Sequence, residues 1–382
     1  MRLTLPQYPE AAWELSMTNN LGNYIHIPFC DKKCNYCDFY SGASTPEGRR
    51  EYTERLSEEI TKWGALTARP IDTLYIGGGT PSLLSSDELE LILNSVRKSF
   101  SVLDDAEITV EANPSDLEFI PAARKAGVNR ISFGIQSAND EELKLLGRRH
   151  NFETAKKAIC LARECGFDNI SADIMIGLPN SDISSLEKSI EGILSLNTEH
   201  ISAYILKIEE NTPFYKASLS LPDEDRTADQ YLYLCERMKE AGYEHYEISN
   251  FAKEGYESRH NNRYWKDLEY IGIGPSAHSY FEGKRFYYPR DIKAFIKNPI
   301  TVDDGEGGDY SEFTMLSLRL SRGLVFSEFK ERFAYDLPAR VINKARLLEK
   351  GGLCRVLKDR ISLTDKGMLV SNSIISELLG EF

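Results

Sequence analysis

Six short apolar runs, at residues 24–28, 73–77, 107–111, 130–135, 170–176 and 200–206, punctuate the first part of the chain and read as strands. Between them lie stretches whose apolar residues recur at helical spacing, such as SSDELELILNSVRKSF and NFETAKKAICLARECGF. Strand followed by helix, six times over, predicts an α/β fold: a partial (β/α)6 barrel of parallel strands over residues 21–250. In such a barrel the functional groups gather at the C-terminal ends of the strands.

The pattern breaks at 297–312 (NPITVDDGEGGDYSEF), a glycine- and acid-rich stretch expected to be a linker. After it come helix-like segments at 311–321, 327–335 and 338–350, a strand pair at 353–357 and 360–363, and a last helix from about 365. This order predicts a small winged-helix-like domain over 311–382, expected to cover the barrel mouth or to offer a partner surface. Residues 1–20 read as an N-terminal segment, and 251–300 as a region completing the side of the barrel.

With 382 residues, 41% of them hydrophobic, the chain can bury one large core and a smaller one. It has no run of eighteen apolar residues, and its first residues lack a basic stretch followed by an apolar one, so a cytoplasmic protein is expected. The net charge of −13 argues against a nucleic-acid partner, which would need clustered cations. Arg340, Lys344, Arg346 and Lys350 on the third C-terminal helix are accordingly read as a solvated face rather than a DNA-contacting one.

Three of the seven cysteines, Cys30, Cys34 and Cys37, fall within the segment YIHIPFCDKKCNYCDF, on the loop that follows the first strand. The next cysteines, Cys160 and Cys165, are remote and in a helical stretch, so a four-ligand zinc site is not in view. Three thiolates on one loop suit an iron–sulfur cubane with one iron left open to a small ligand. After the second strand, Gly77, Gly78 and Gly79 precede Thr80; glycines there either form a tight turn or let backbone approach a ligand. Glu111, Gln136 and Arg148 sit at or just beyond strand ends, and Asp173 within an apolar strand, where packing alone would prefer apolar residues.

The spacing C-x3-C-x2-C, with Tyr36 before the last cysteine, resembles the radical-SAM superfamily, and YIHIPFC, GGGTPS, EANP, SFGIQS, IGLP and GIGPSAHSY resemble its coproporphyrinogen-oxidase-like branch. The resemblance implies a 4Fe–4S cluster on Cys30, Cys34 and Cys37, and S-adenosylmethionine (SAM) held by Tyr24, Tyr36, Gly78, Gly79, Thr80, Glu111, Gln136, Arg148 and Asp173. In that superfamily the reduced cluster passes one electron into the sulfonium and breaks its carbon–sulfur bond.

Within the branch, the true oxidases carry a further cysteine two residues after the third; here that position is Phe39, and only 23 residues precede Tyr24. The segment HNNRYW resembles a motif of the branch's heme chaperones. That resemblance implies heme as cargo and delivery to recipient apo-hemoproteins, membrane respiratory enzymes among them, with any membrane association peripheral and through a partner. His260 is the expected imidazole ligand of heme iron, with Tyr264 and Trp265 packing on the macrocycle and Arg259 and Arg263 near its propionates. His278 and His26 rank behind it. Whether the chain is also an enzyme stays open, the alternative being an anaerobic coproporphyrinogen III oxidase-type decarboxylase of porphyrin biosynthesis.

Overall fold

The computed structural model describes residues 19–382, so most of the segment 1–20 lies outside the described residues. The six expected strands are present: β1 (Leu21–Ile27), β2 (Ile71–Gly78), β3 (Val102–Ala112), β4 (Arg130–Gln136), β5 (Asn169–Ile176) and β6 (His200–Ile205). Each runs parallel to the next, and their order in the sheet is their order in the chain. Strands laid down in sequence with a helix after each wind in one direction, which is the partial barrel.

Alternation along these strands separates two sets of side chains. Ile25, Leu74, Ile76, Val110, Ile131, Phe133, Ile170, Ala172, Ile174, Ile201 and Ala203 are buried in the apolar core. The opposite positions, toward the barrel interior, carry Tyr24, Thr73, Tyr75, Thr109, Glu111, Arg130, Ser132, Ser171, Asp173 and Ser202. The core is therefore the layer between strands and helices, while the barrel's own interior is polar. The outer helices start at capped ends: Ser85 and Glu88 form a reciprocal capping box before Ser86–Ser99, and Asn151 caps Phe152–Glu164.

Six more strands extend the sheet. A hairpin, β7 (Glu244–Glu247) and β8 (Asn250–Ala252), adds antiparallel to β6; β9 (Tyr270–Ile273) adds parallel to β1, followed by β10 (His278–Phe281), β11 (Lys284–Tyr287) and β12 (Val302–Glu306) as an antiparallel meander. Here the structure corrects the reading of 297–312 as linker, since β12 pairs with β11 and is an edge strand exposed along its length. An edge strand of Asp, Gly and Glu has no buried face to show in the apolar pattern, and its charges guard the edge against pairing with another chain.

The C-terminal part packs helices Tyr310–Ser317, Phe326–Phe333 and Ala339–Lys350 around a small sheet of β13 (Leu324–Val325), β14 (Cys354–Val356) and β15 (Arg360–Leu363). The expected last helix is two, Asp365–Leu369 and Ser371–Leu379, broken where Val370 leaves helical geometry at φ −114°, ψ 24°. This part does not cover the barrel mouth. It docks on β7 and the turn after it through Ser321 N to Tyr246 O and Ile248 N to Arg319 O, each 3.0 Å, and on the β9–β11 side through Arg332–Asp267 and Arg285–Glu312, each 2.6 Å.

Candidate functional site

One cavity of about 540 Å³ opens at the C-terminal ends of the strands, lined by all three loop cysteines and by Tyr36, Gly78, Gly79, Thr80, Glu111, Gln136, Arg148 and Asp173. The cysteine loop leaves β1 and is pinned by backbone bonds of Cys30 N to Gly42 O and Asn35 N to Leu146 O, both 3.0 Å. Asn35 Nδ2 also donates to Leu145 O at 2.8 Å, and Arg149 bridges Asp31 on the loop to Asp116 at 2.6 and 2.9 Å. Thus the loop is held by its own closing bonds and by the helix Asp140–Leu146 and the residues just after it.

The glycines after β2 serve the cysteine loop directly. Gly79 N and Thr80 N donate to Ile27 O and Phe29 O at 2.8 and 2.7 Å, prolonging the strand pairing up to Cys30. A Cβ on Gly79 would lie 2.5 Å from Phe29 O, and one on Gly78, whose φ is +113°, would lie 2.5 Å from the His26 ring. The close approach that these glycines permit is to the strand leading into the cysteine loop.

Donors face the sulfurs. The Thr80 hydroxyl lies 3.3 Å from Cys30 Sγ, and Arg148 Nη1 donates to Cys34 Sγ at 3.3 Å while its Nη2 donates to Gly134 O at 2.5 Å. Burial pushes the Cys37 thiol up, and the neighbouring sulfurs of Cys34 and Cys30 add to the rise. Three cysteines in one wall, two of them already facing side-chain donors, fit a cationic cluster that would take their protons' place. Gln136 closes β4 at φ +76°, a backbone conformation unusual for a residue with a side chain, and packs its amide where a Cβ on Gly134 would meet both it and Arg148.

The carboxylates opposite are buried in the cavity wall. Burial pushes Glu111 up to about 7, although its oxygens accept from Tyr75 Oη at 2.9 Å and Gly78 N at 3.1 Å. Burial likewise pushes Asp173 up to about 6, with Ser132 Oγ at 3.4 Å. A ligand bringing hydroxyl or ammonium donors would restore their charged forms, which suits a compound carrying both a ribose and an amino acid. Tyr24 is placed apart from its expected companions: its hydroxyl lies 2.9 Å from His26 Nδ1 and it does not line the cavity.

The HNNRYW segment forms the helix Arg259–Trp265, seated at the other end of the barrel. His260 N donates to Glu107 Oε1 at 3.0 Å, its Nδ1 lies 2.9 Å from Thr73 Oγ1 and its Nε2 2.7 Å from Tyr264 Oη, and its ring stacks on Tyr75. Burial pushes its pKa down to about 3, the Arg263 and Arg130 charges adding to the effect. The expectation that His260 ligates heme iron is therefore corrected: it is 1% exposed, both ring nitrogens are hydrogen-bonded, and it does not line the cavity. Tyr264 is spent on His260 and Tyr270, Trp265 lies under Arg319, Arg263 is locked to Asp72 at 2.7 Å, and Arg259 caps onto Glu107 and Asp105, so none of the four faces the cavity. His26 is also buried and bonded, to Tyr24 and Tyr40 O, whereas His278 is exposed and stacked on Tyr287.

Several residues of the site went unnoticed in the sequence. Arg130, 2% exposed, is the cation in the barrel interior whose field reaches Glu111 and Asp173. Its signal was a charge opening an otherwise apolar strand. Tyr204, Ile205, Lys207 and Arg290 line the cavity mouth, and nothing in their spacing marks them.

The radical SAM superfamily matches residues 24–193 and the HemN C-terminal domain matches 309–370. The chain is 36% identical to the heme chaperone HemW of Bacillus subtilis, over 94% of this chain and 99% of that protein. It is 37% identical to the heme chaperone HemW of Escherichia coli, over 94% and 98%. Among solved structures, the coproporphyrinogen III oxidase HemN of Escherichia coli, a radical SAM enzyme, superposes with a TM-score of 0.80 at 23% identity, covering 97% of this chain and 93% of that one.

Proposed function

The chain belongs to the HemW family of the radical SAM superfamily, and on that premise we propose that it binds heme and hands it to apo-hemoproteins. Cys30, Cys34 and Cys37 would hold a 4Fe–4S cluster, and Tyr36, Gly78, Gly79, Thr80, Glu111, Gln136, Arg148 and Asp173 would surround SAM beside it. When bound, the pair supplies one-electron chemistry at a sulfonium centre. The chain's own part is to aim Arg148 and Thr80 at the sulfurs, to present Glu111 and Asp173 to donors, and to keep the cavity floor dry.

The observation that carries the heme reading is the rim of this cavity. Phe39, Tyr204 and Ile205 line it while remaining 65%, 43% and 41% exposed, and Lys32, Lys33, Lys207 and Arg290 stand around them. Asp38 and Glu209 on the same rim pair with Arg290 and Lys207, at 4.0 and 2.6 Å, which leaves Lys32 and Lys33 at the edge of the apolar patch, matching a flat apolar macrocycle with carboxylates at its edge. The exposed His278 opens β10 at the same end of the sheet, since β9 climbs parallel to β1 and β10 turns back. We place the axial imidazole there rather than at His260.

Anaerobic titration of the cluster-loaded protein with heme, followed by transfer to an apo-hemoprotein, tests the reading. Saturable binding with transfer is expected, and no protoporphyrinogen from coproporphyrinogen III. Catalytic formation of that product would replace the chaperone reading by the oxidase one. The recipients we propose include membrane respiratory hemoproteins. No described helix is long and apolar enough to cross a membrane, so contact with one would run through the recipient.

A further inference from the structure

Away from the cavity, Cys235, His245 and Asp365 bring one ligand atom each within 4.8 Å of one another. They come from three elements: Cys235 from the helix Glu224–Glu240, His245 from β7, and Asp365 from the start of the helix Asp365–Leu369 in the C-terminal part. We propose that these three side chains bind one zinc-class divalent cation, which clasps the C-terminal part to the barrel.

The donor set decides the class of ion. A thiol, an imidazole and a carboxylate are the ligands of zinc, cobalt or ferrous iron, whereas magnesium and calcium would ask for oxygens alone. Metal–ligand bonds of about 2.0–2.3 Å place tetrahedral ligands roughly 3.3–3.8 Å apart, so the present spread closes with side-chain shifts of about an ångström. His245 Nδ1 already lies 2.9 Å from Asp365 Oδ1. Its ring is stacked on Phe251 with centroids 4.4 Å apart, which holds the imidazole in place whether or not Asp365 is bonded to it. A water supplies the fourth ligand.

Access and charge also fit. Cys235 is 6% exposed, but the Asp365 side chain is 55% exposed, which gives an ion a path from solvent. Binding exchanges the thiol proton for the metal and releases it to water, after which thiolate and carboxylate balance the double positive charge. Arg355 and Lys239 also face Asp365 and would oppose a cation were the carboxylate its sole anionic ligand. The second anion, the thiolate, offsets them.

The test uses the full-length, cluster-loaded protein, so that Cys30, Cys34 and Cys37 are already occupied by iron. Zinc is counted by elemental analysis after equilibration and gel filtration, affinity is read by competition with a chromophoric chelator, and melting is followed with and without zinc. One zinc per chain beyond the iron is expected, with a higher melting temperature. Cys235→Ser and His245→Gln should lose the zinc and the thermal shift, and the exposed Asp365→Asn, which leaves packing intact, should bind at least tenfold more weakly. No zinc retained by the parent protein, or retention unchanged in Asp365→Asn and in folded Cys235→Ser, would overturn the proposal.

Discussion

At the N-terminal end of the barrel strands, Arg263 meets Asp72 at 2.7 Å, His260 spends both ring nitrogens on Thr73 and Tyr264, and Glu107 takes two backbone amides of the same helix. At the C-terminal end, Glu111 and Asp173 are held up near 7 and 6 by burial, the thiol of Cys37 is pushed up, and Gln136 sits at φ +76°. Both ends bury ionisable groups. The first pairs them with one another away from the cavity, which is what a plug requires. The second sets Glu111, Asp173 and the three cysteines in the wall of a cavity, where a ligand can reach them. A motif can thus be polar, aromatic and histidine-bearing and still belong to the scaffold.

Mutations at the two ends should separate these roles. The largest effect is expected from Cys34→Ala, which should drop the iron content of anaerobically reconstituted protein to background with an unchanged circular dichroism spectrum. Iron retained at the parent level would move the cluster elsewhere. Next, Arg263→Met at the plug leaves Asp72 buried without its cation and should cost about 3–5 kcal/mol in urea unfolding, with cluster loading of the folded chain unaltered. Gly78→Ala should cost about 1–3 kcal/mol, because it combines a strained φ with a clash against the His26 ring, and should in addition weaken SAM binding. A stable Gly78→Ala variant with parental SAM affinity would make that turn dispensable.

The smallest effect is a pH signature. Glu111 is raised in the folded chain, so its native form binds more protons than the unfolded one between its ordinary range and about 7, and its contribution to stability is lost as pH rises through that window. Glu111→Gln should therefore melt above the parent at pH 8, match it near pH 4, and bind SAM less well. His260 acts in the opposite sense: its pKa lowered to about 3 makes its contribution present above the ordinary histidine range and lost as pH falls toward 3. His260→Gln should accordingly flatten the acid limb of the stability curve. A parental acid limb in that variant would show that the imidazole does not sit neutral in the plug.

Much of the cavity was legible because strand alternation forces it: polar residues at alternate positions of otherwise apolar strands have to face the barrel interior, and Glu111, Gln136 and Asp173 do. The cysteine spacing announced the loop. What sequence could not give was depth. His260 and His278 are both histidines in aromatic surroundings, and only the packing tells that one is the buried face of a helix with its nitrogens bonded while the other is open. Nor did the acidic stretch that contains β12 look like a strand, since it buries nothing. Tyr24 stood in a motif with the cavity residues, but its hydroxyl reaches His26 instead.

The most direct test of the division between the two ends is anaerobic heme titration of cluster-loaded parent, His260→Gln and the rim variant Phe39→Ser/Lys32→Glu/Lys33→Glu, each checked for fold by circular dichroism. The rim variant should bind heme at least about tenfold more weakly, a loss of about 1.4 kcal/mol, while His260→Gln keeps the parental affinity. Loss of binding in folded His260→Gln with the rim variant unaffected would contradict the account and return heme to the helix Arg259–Trp265.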